Sequence, residues 1–72
     1  NGTDGYVNLG ISYAMKGDLQ NALKAFEKGI NITPNNANLY LNMGITYDNL
    51  GEKEKAKTFY EKAFALDPSL KK

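Results

Sequence analysis

Residues 3–36 lie over residues 37–70 without a gap, and ten of the thirty-four paired positions are identical. The identities are Tyr6/Tyr40, Asn8/Asn42, Gly10/Gly44, Ile11/Ile45, Tyr13/Tyr47, Gly17/Gly51, Ala22/Ala56, Glu27/Glu61, Lys28/Lys62 and Pro34/Pro68. Leu9/Met43, Phe26/Tyr60, Ile30/Phe64 and Ile32/Leu66 keep their character. Both prolines hold register, so the period marks a structural unit rather than a bias of composition. A unit of this length buries its apolar face by stacking on a neighbour, which confines the chain to repeat architectures.

Each unit reads as two helices. Tyr6, Leu9, Gly10, Tyr13 and Ala14 recur at helical spacing and mark one apolar face. Gly17 can adopt the left-handed conformation that ends a helix, and Asp18 can cap the next one. A second helix runs from about Leu19 to Asn31, with Leu19, Ala22, Leu23, Phe26 and Ile30 on one stripe. Pro34 stops it, and Asn35-Asn36 can cap the third helix. The second unit repeats the plan from about Ala37 to Leu50 and from Lys53 to Leu66, with a turn at Gly51-Glu52. No stretch alternates with period two over a strand's length, so the fold class is all-α: four helices joined by short turns, forming a single domain over 1–72. Gly10 and Gly44 sit mid-helix, where glycine costs about 1 kcal/mol relative to alanine. Taken twice at the same place, that cost predicts a close helix–helix approach, with Ala22 and Ala56 as the small partners opposite. The tyrosines fall on faces that must be buried, which makes them core rather than a stacking platform for ligands.

Tyr6-x2-Leu9-Gly10-x2-Tyr13, then Ala22-x3-Phe26, then Pro34, resembles the tetratricopeptide repeat, as does the set Tyr40, Met43-Gly44, Tyr47, Ala56, Tyr60, Ala63 and Pro68. The resemblance covers residues 3–70. It implies two helix-turn-helix hairpins stacked as a short right-handed α-solenoid, with the first helices lining a concave, partner-binding groove. One departure is Gly29, where the family usually has the alanine seen at Ala63; a second glycine inside a helix is expected to loosen the first hairpin.

Composition narrows the function. The 72 residues include no His and no Cys, so the usual general base, the thiol nucleophile and the soft metal ligands are missing. The eight acidic residues are scattered among nine lysines on faces expected to be solvated. No glycine-rich phosphate loop or calcium-loop spacing occurs. The expectation is a protein that is not an enzyme and takes no cofactor or metal. A net charge of +1, with three Lys against three acids in residues 1–36 and six against five thereafter, argues against a nucleic-acid partner. No apolar run is long enough to span a membrane.

The resemblance turns the groove face of the first helices toward Asp4, Val7, Asn8, Ile11 and Met15, and toward Asn38, Leu41, Asn42, Ile45, Asp48 and Asn49. An apolar strip of Val7, Ile11, Leu41 and Ile45, flanked by asparagines, suits the side chains of a protein or peptide partner, with amides free to bond its backbone. One mode known in the family grips a C-terminal carboxylate with Lys and Asn on the first helix and Asn on the next. Asn42 fits, but Val7 and Ile11 stand in place of the other two. Two units are few for a solenoid, which normally needs about three. Lys53 and Lys57 replace Leu19 and Leu23 on the last helix, as in a solubilising cap, while Phe59, Phe64 and Leu66 remain apolar there. These three are candidates for self-association, so the alternative is a structural piece of a longer array that forms homo-oligomers through uncapped repeat surfaces.

Overall fold

The computed structural model describes residues 2–71, so Asn1 and Lys72, the two ends of the expected domain, lie outside the described residues. Four α-helices follow in order: α1 (Gly2–Met15), α2 (Leu19–Ile32), α3 (Ala37–Asn49) and α4 (Lys53–Leu66). Among the described residues there is no strand. α1 packs on α2 and α3 on α4 as two hairpins, and α2 joins them by packing on α3. The four helices agree with the sequence reading to within a residue or two at their ends, apart from α1, which starts well before the first apolar position.

The turns show why. Gly17 and Gly51 have φ of 83° and 85°, where a Cβ would be strained. Behind each, two amides fold back onto the finished helix. Asp18 N–H donates to the Tyr13 carbonyl at 2.9 Å and Gly17 N–H to Ala14 at 3.0 Å; Glu52 and Gly51 do the same to Tyr47 and Asp48. These paired bonds satisfy carbonyls that a helix end leaves open. Asp18 then caps α2, its carboxylate accepting from the Asn21 backbone N–H at 3.4 Å and also from the Asn21 side-chain amide at 2.7 Å. Asn36 caps α3, accepting from Asn38 N–H at 3.1 Å. Glu52 makes no side-chain cap on α4. After α4, where the sequence predicts no further helix, one 3-10 turn forms over Pro68–Lys71. Asp67 holds it by accepting from the Ser69 amide at 3.1 Å and the Ser69 hydroxyl at 2.6 Å.

The core is a cluster of Ala22, Leu23, Phe26, Leu39 and Met43, spread over α2 and α3. Three sequence expectations change here. First, the atoms nearest a Cβ at Gly10 or Gly44 belong to an aromatic ring, with the expected Ala56 behind the ring at Gly44. A Cβ on Gly10 would fall 2.4 Å from the Phe26 ring, and one on Gly44 would fall 2.8 Å from the Tyr60 ring, with the Ala56 carbonyl oxygen next at 3.3 Å. Second, Gly29 has a packing partner in the next hairpin. It is a socket: Leu39 of the next hairpin sits over it, and an added Cβ would meet both Leu39 methyls at 3.1 Å. Third, Leu9 is 44% exposed although it belongs to the repeated apolar face, whereas its counterpart Met43 is 2% exposed. Met43 is covered because α2 lies against it; within the described residues no helix stands in that place before α1.

Candidate functional site

α1 and α3 run side by side and leave an open groove of about 280 Å³ between them. Ile11, Ala14 and Met15 line it from α1, and Asn42, Ile45, Thr46 and Asn49 from α3. Phe26, 1% exposed, reaches through from α2 and forms part of its floor. Met15 is 83% exposed, Ile45 44% and Ile11 38%, so three large apolar side chains face solvent around one depression. Thr46 donates its hydroxyl to the Asn42 carbonyl at 2.8 Å. The side-chain amides of Asn42 and Asn49 bond nothing among the described residues. Chemically the groove offers an apolar strip with two open amides and no charged side chain.

Five of the eleven residues assigned to the groove from sequence therefore come together: Ile11, Met15, Asn42, Ile45 and Asn49. The others do not line it. Val7 is half-buried and packs against the core cluster, and Leu41 is also half-buried. Asn8 and Asn38 are exposed outside it, as is Asp4 in the first turn of α1. Asp48 turns toward the start of α4. Its carboxylate pairs with the Lys53 ammonium and accepts from the Tyr60 hydroxyl at 3.3 Å. The hydrogen bond from Lys53, reinforced by its charge, holds the Asp48 carboxyl below the ordinary carboxylate value, and the same bond raises Lys53. Burial is the main reason the Tyr60 hydroxyl is pushed up. Sequence reasoning misses Ala14, Phe26 and Thr46 as lining. Its pattern puts Phe26 in the core, where most of the ring lies, and the contribution of that ring to the floor depends on how far apart α1 and α3 stand.

The end of the molecule beyond α4 carries a second, larger depression of about 370 Å³, bounded by Ala56, Lys57, Tyr60 and Phe64 together with the Asp48–Lys53 pair. Phe64 stacks on Tyr60 at 6.2 Å between ring centres. Leu66 is 41% exposed. Phe59, grouped with them from sequence, is taken up inside the second hairpin, stacked 5.2 Å from Tyr47 and 6.2 Å from Tyr40. Among the described residues no cluster of three potential metal ligands exists, and no helix is long and apolar enough to cross a membrane.

Comparisons agree with this geometry. Two solved structures are similar over nearly the whole chain. One, titled "Crystal structure of MamA", gives a TM-score of 0.87 at 30% identity over 93% of this chain. The other, "Crystal structure of MamA protein", gives 0.85 at 30% identity over 92%. The chain spans only 39% and 36% of those two proteins. A search of curated proteins returns no match. The sequence model of the family described as "Tetratricopeptide repeat" matches residues 5–69, and two hairpins that share the Gly17/Gly51 turns and the Gly10/Gly44 positions under an aromatic ring account for that match: the chain belongs to the tetratricopeptide repeat family.

Proposed function

We infer that this chain shares the general role of tetratricopeptide repeats, which mediate protein–protein interactions. We propose that this chain is a non-catalytic interaction module that takes an apolar peptide segment or helix into the groove between α1 and α3. The observation that carries this reading is the convergence of Ile11, Met15 and Ile45, all exposed, on one depression with the open amides of Asn42 and Asn49. Apolar side chains of a bound segment would cover the strip, and the amides would bond its backbone. The absence of charge in the groove favours a neutral, aliphatic sequence over an acidic tail.

Panning a random peptide library against the chain tests this. A consensus with spaced apolar residues is the expected result. Met15→Lys with Ile45→Lys should weaken capture by about 30-fold or more, as loss of central anchors does. Both side chains are exposed, so helical circular dichroism should not change. Absence of any consensus, or capture unaffected by the double substitution, would reject the groove as the binding site.

A further inference from the structure

We infer that Met15 is an oxidation site that gates the α1–α3 groove: a peroxide turns its thioether into a sulfoxide, and the groove then holds an apolar partner less well. The inference rests on the proposed use of that groove and adds a chemical control to it. Composition narrows the chemistry first. The chain has no Cys, no His and no Trp, so its two methionines are the side chains that a mild peroxide attacks. The fold then separates the two. Met43 is 2% exposed, inside the cluster that holds Ala22, Leu23, Phe26 and Leu39. Met15, the last residue of α1, is 83% exposed on the rim of the groove. A peroxide therefore reaches the Met15 sulfur with the fold intact, whereas it reaches Met43 only when the joint between the hairpins opens.

The step needs only the thioether and the oxidant. A lone pair on the Met15 sulfur attacks one oxygen of hydrogen peroxide, the O–O bond breaks, and the second oxygen leaves as water. Sulfur gives up two electrons and the peroxide takes them. The product is a polar, chiral side chain in place of a flexible apolar one. Its place in the groove gives that change two effects. The apolar strip of Ile11, Met15 and Ile45 is interrupted by an S=O dipole. The sulfoxide oxygen is also a strong acceptor, and the side-chain amides of Asn42 and Asn49, which bond nothing among the described residues, line the same depression. An unbranched side chain with three rotatable bonds can turn inward to meet them. The oxygen then occupies donors that a bound backbone would use, so the groove loses apolar area and hydrogen bonds together.

Treatment of the chain with hydrogen peroxide tests the proposal in two stages, the first without a partner. Peptide mapping by mass spectrometry should show Met15 gaining one oxygen about tenfold faster than Met43, or more. In NMR spectra of the oxidised chain, the Ile11 and Ile45 methyls and the Asn42 and Asn49 side-chain amides should shift while the Met43 methyl stays in place. Equal oxidation of the two methionines, or a sulfoxide that leaves both amides unmoved, overturns the proposal even where the groove binds peptides. The second stage follows capture of the consensus peptide from panning by fluorescence anisotropy. Oxidation should weaken capture by about tenfold or more, as loss of one apolar anchor does. Capture should return when a pair of methionine sulfoxide reductases, one for each epimer, and a dithiol remove the oxygen as water. Met15→Leu keeps an apolar side chain without sulfur, so it should bind as the parent does and ignore peroxide. Unchanged capture by the oxidised parent, or an equal loss in peroxide-treated Met15→Leu, overturns the gate alone. A chain that captures no peptide before oxidation refutes the groove reading, and the gate falls with it.

Discussion

Replacing Gly29 by alanine should destabilise this chain, although the position is the interior of a helix. Intrinsic preference alone favours alanine by about 1 kcal/mol. Against this, the new Cβ would lie 3.1 Å from each Leu39 methyl, and Leu39 is 0% exposed, so the side chain has nowhere to retreat. Overpacking of a closed core costs about 1–3 kcal/mol. The balance is a loss of about 1 kcal/mol, or a fall of about 4–8 °C in melting temperature for a domain of this size. Leu39→Ala alone should cost more, about 2–5 kcal/mol, because it empties the socket. In that background Gly29→Ala meets open space, regains its helix preference and refills part of the void, so its sign reverses. Urea titrations of the four proteins, followed by far-ultraviolet circular dichroism in the cold, give the coupling directly. Total stability for such a chain is about 4–11 kcal/mol, so Leu39→Val can stand in if Leu39→Ala no longer folds. Gly29→Ala raising the midpoint of the parent chain would refute the reasoning, because it would mean that Leu39 yields and the socket constrains nothing.

Gly10→Ala should destabilise by about 3 kcal/mol or more, since its Cβ would overlap the enclosed Phe26 ring outright, while Gly44→Ala should cost less because the half-buried Tyr60 can swing outward; thermal melts of both rank them. Gly5 has nothing within 4 Å and is exposed, so Gly5→Ala should stabilise by about 0.5–1 kcal/mol, measurable by urea midpoint. Asp48→Asn should lower stability at neutral pH. Because the Asp48 carboxyl is held below its ordinary value of 3.8, its contribution is complete above that value and is lost as pH falls through the lowered one. Unfolding curves of the two proteins over a pH series should therefore converge in acid, and a difference that grows on acidification would contradict the Asp48–Lys53–Tyr60 arrangement.

Much of the fold is legible in the sequence because its signals are local. Gly17, Asp18, Asn36 and Pro34 act through their own backbone geometry or their nearest amides, so the residue type suffices to place the turn. The repeat then fixes which faces are apolar. What it does not say is whether a face is covered: Leu9 and Met43 have the same pattern, and only the presence of α2 beside α3 separates them. Gly29 escapes the sequence for a related reason. Its value lies in Leu39, ten residues away and in another hairpin, whereas helix preference counts only the glycine itself. Asp48 leaves the expected groove because Lys53 and Tyr60 of α4 attract its carboxylate, and a helical wheel of α3 contains neither. The five groove residues that do converge all project between α1 and α3, where exposure follows directly from helical phase.

The joint at Gly29 and Leu39 also bears on how fast the molecule forms. Each helix pairs chiefly with the one next to it in the chain, so either hairpin can close early and rapidly, as expected for low contact order. The joint can assemble only after both hairpins exist. Substitutions there should then leave the folding arm of a chevron almost unmoved and steepen the loss through the unfolding rate, whereas changes at the Gly10–Phe26 contact inside a hairpin should slow folding itself. The socket thus acts as a latch on the finished molecule rather than as a seed for it.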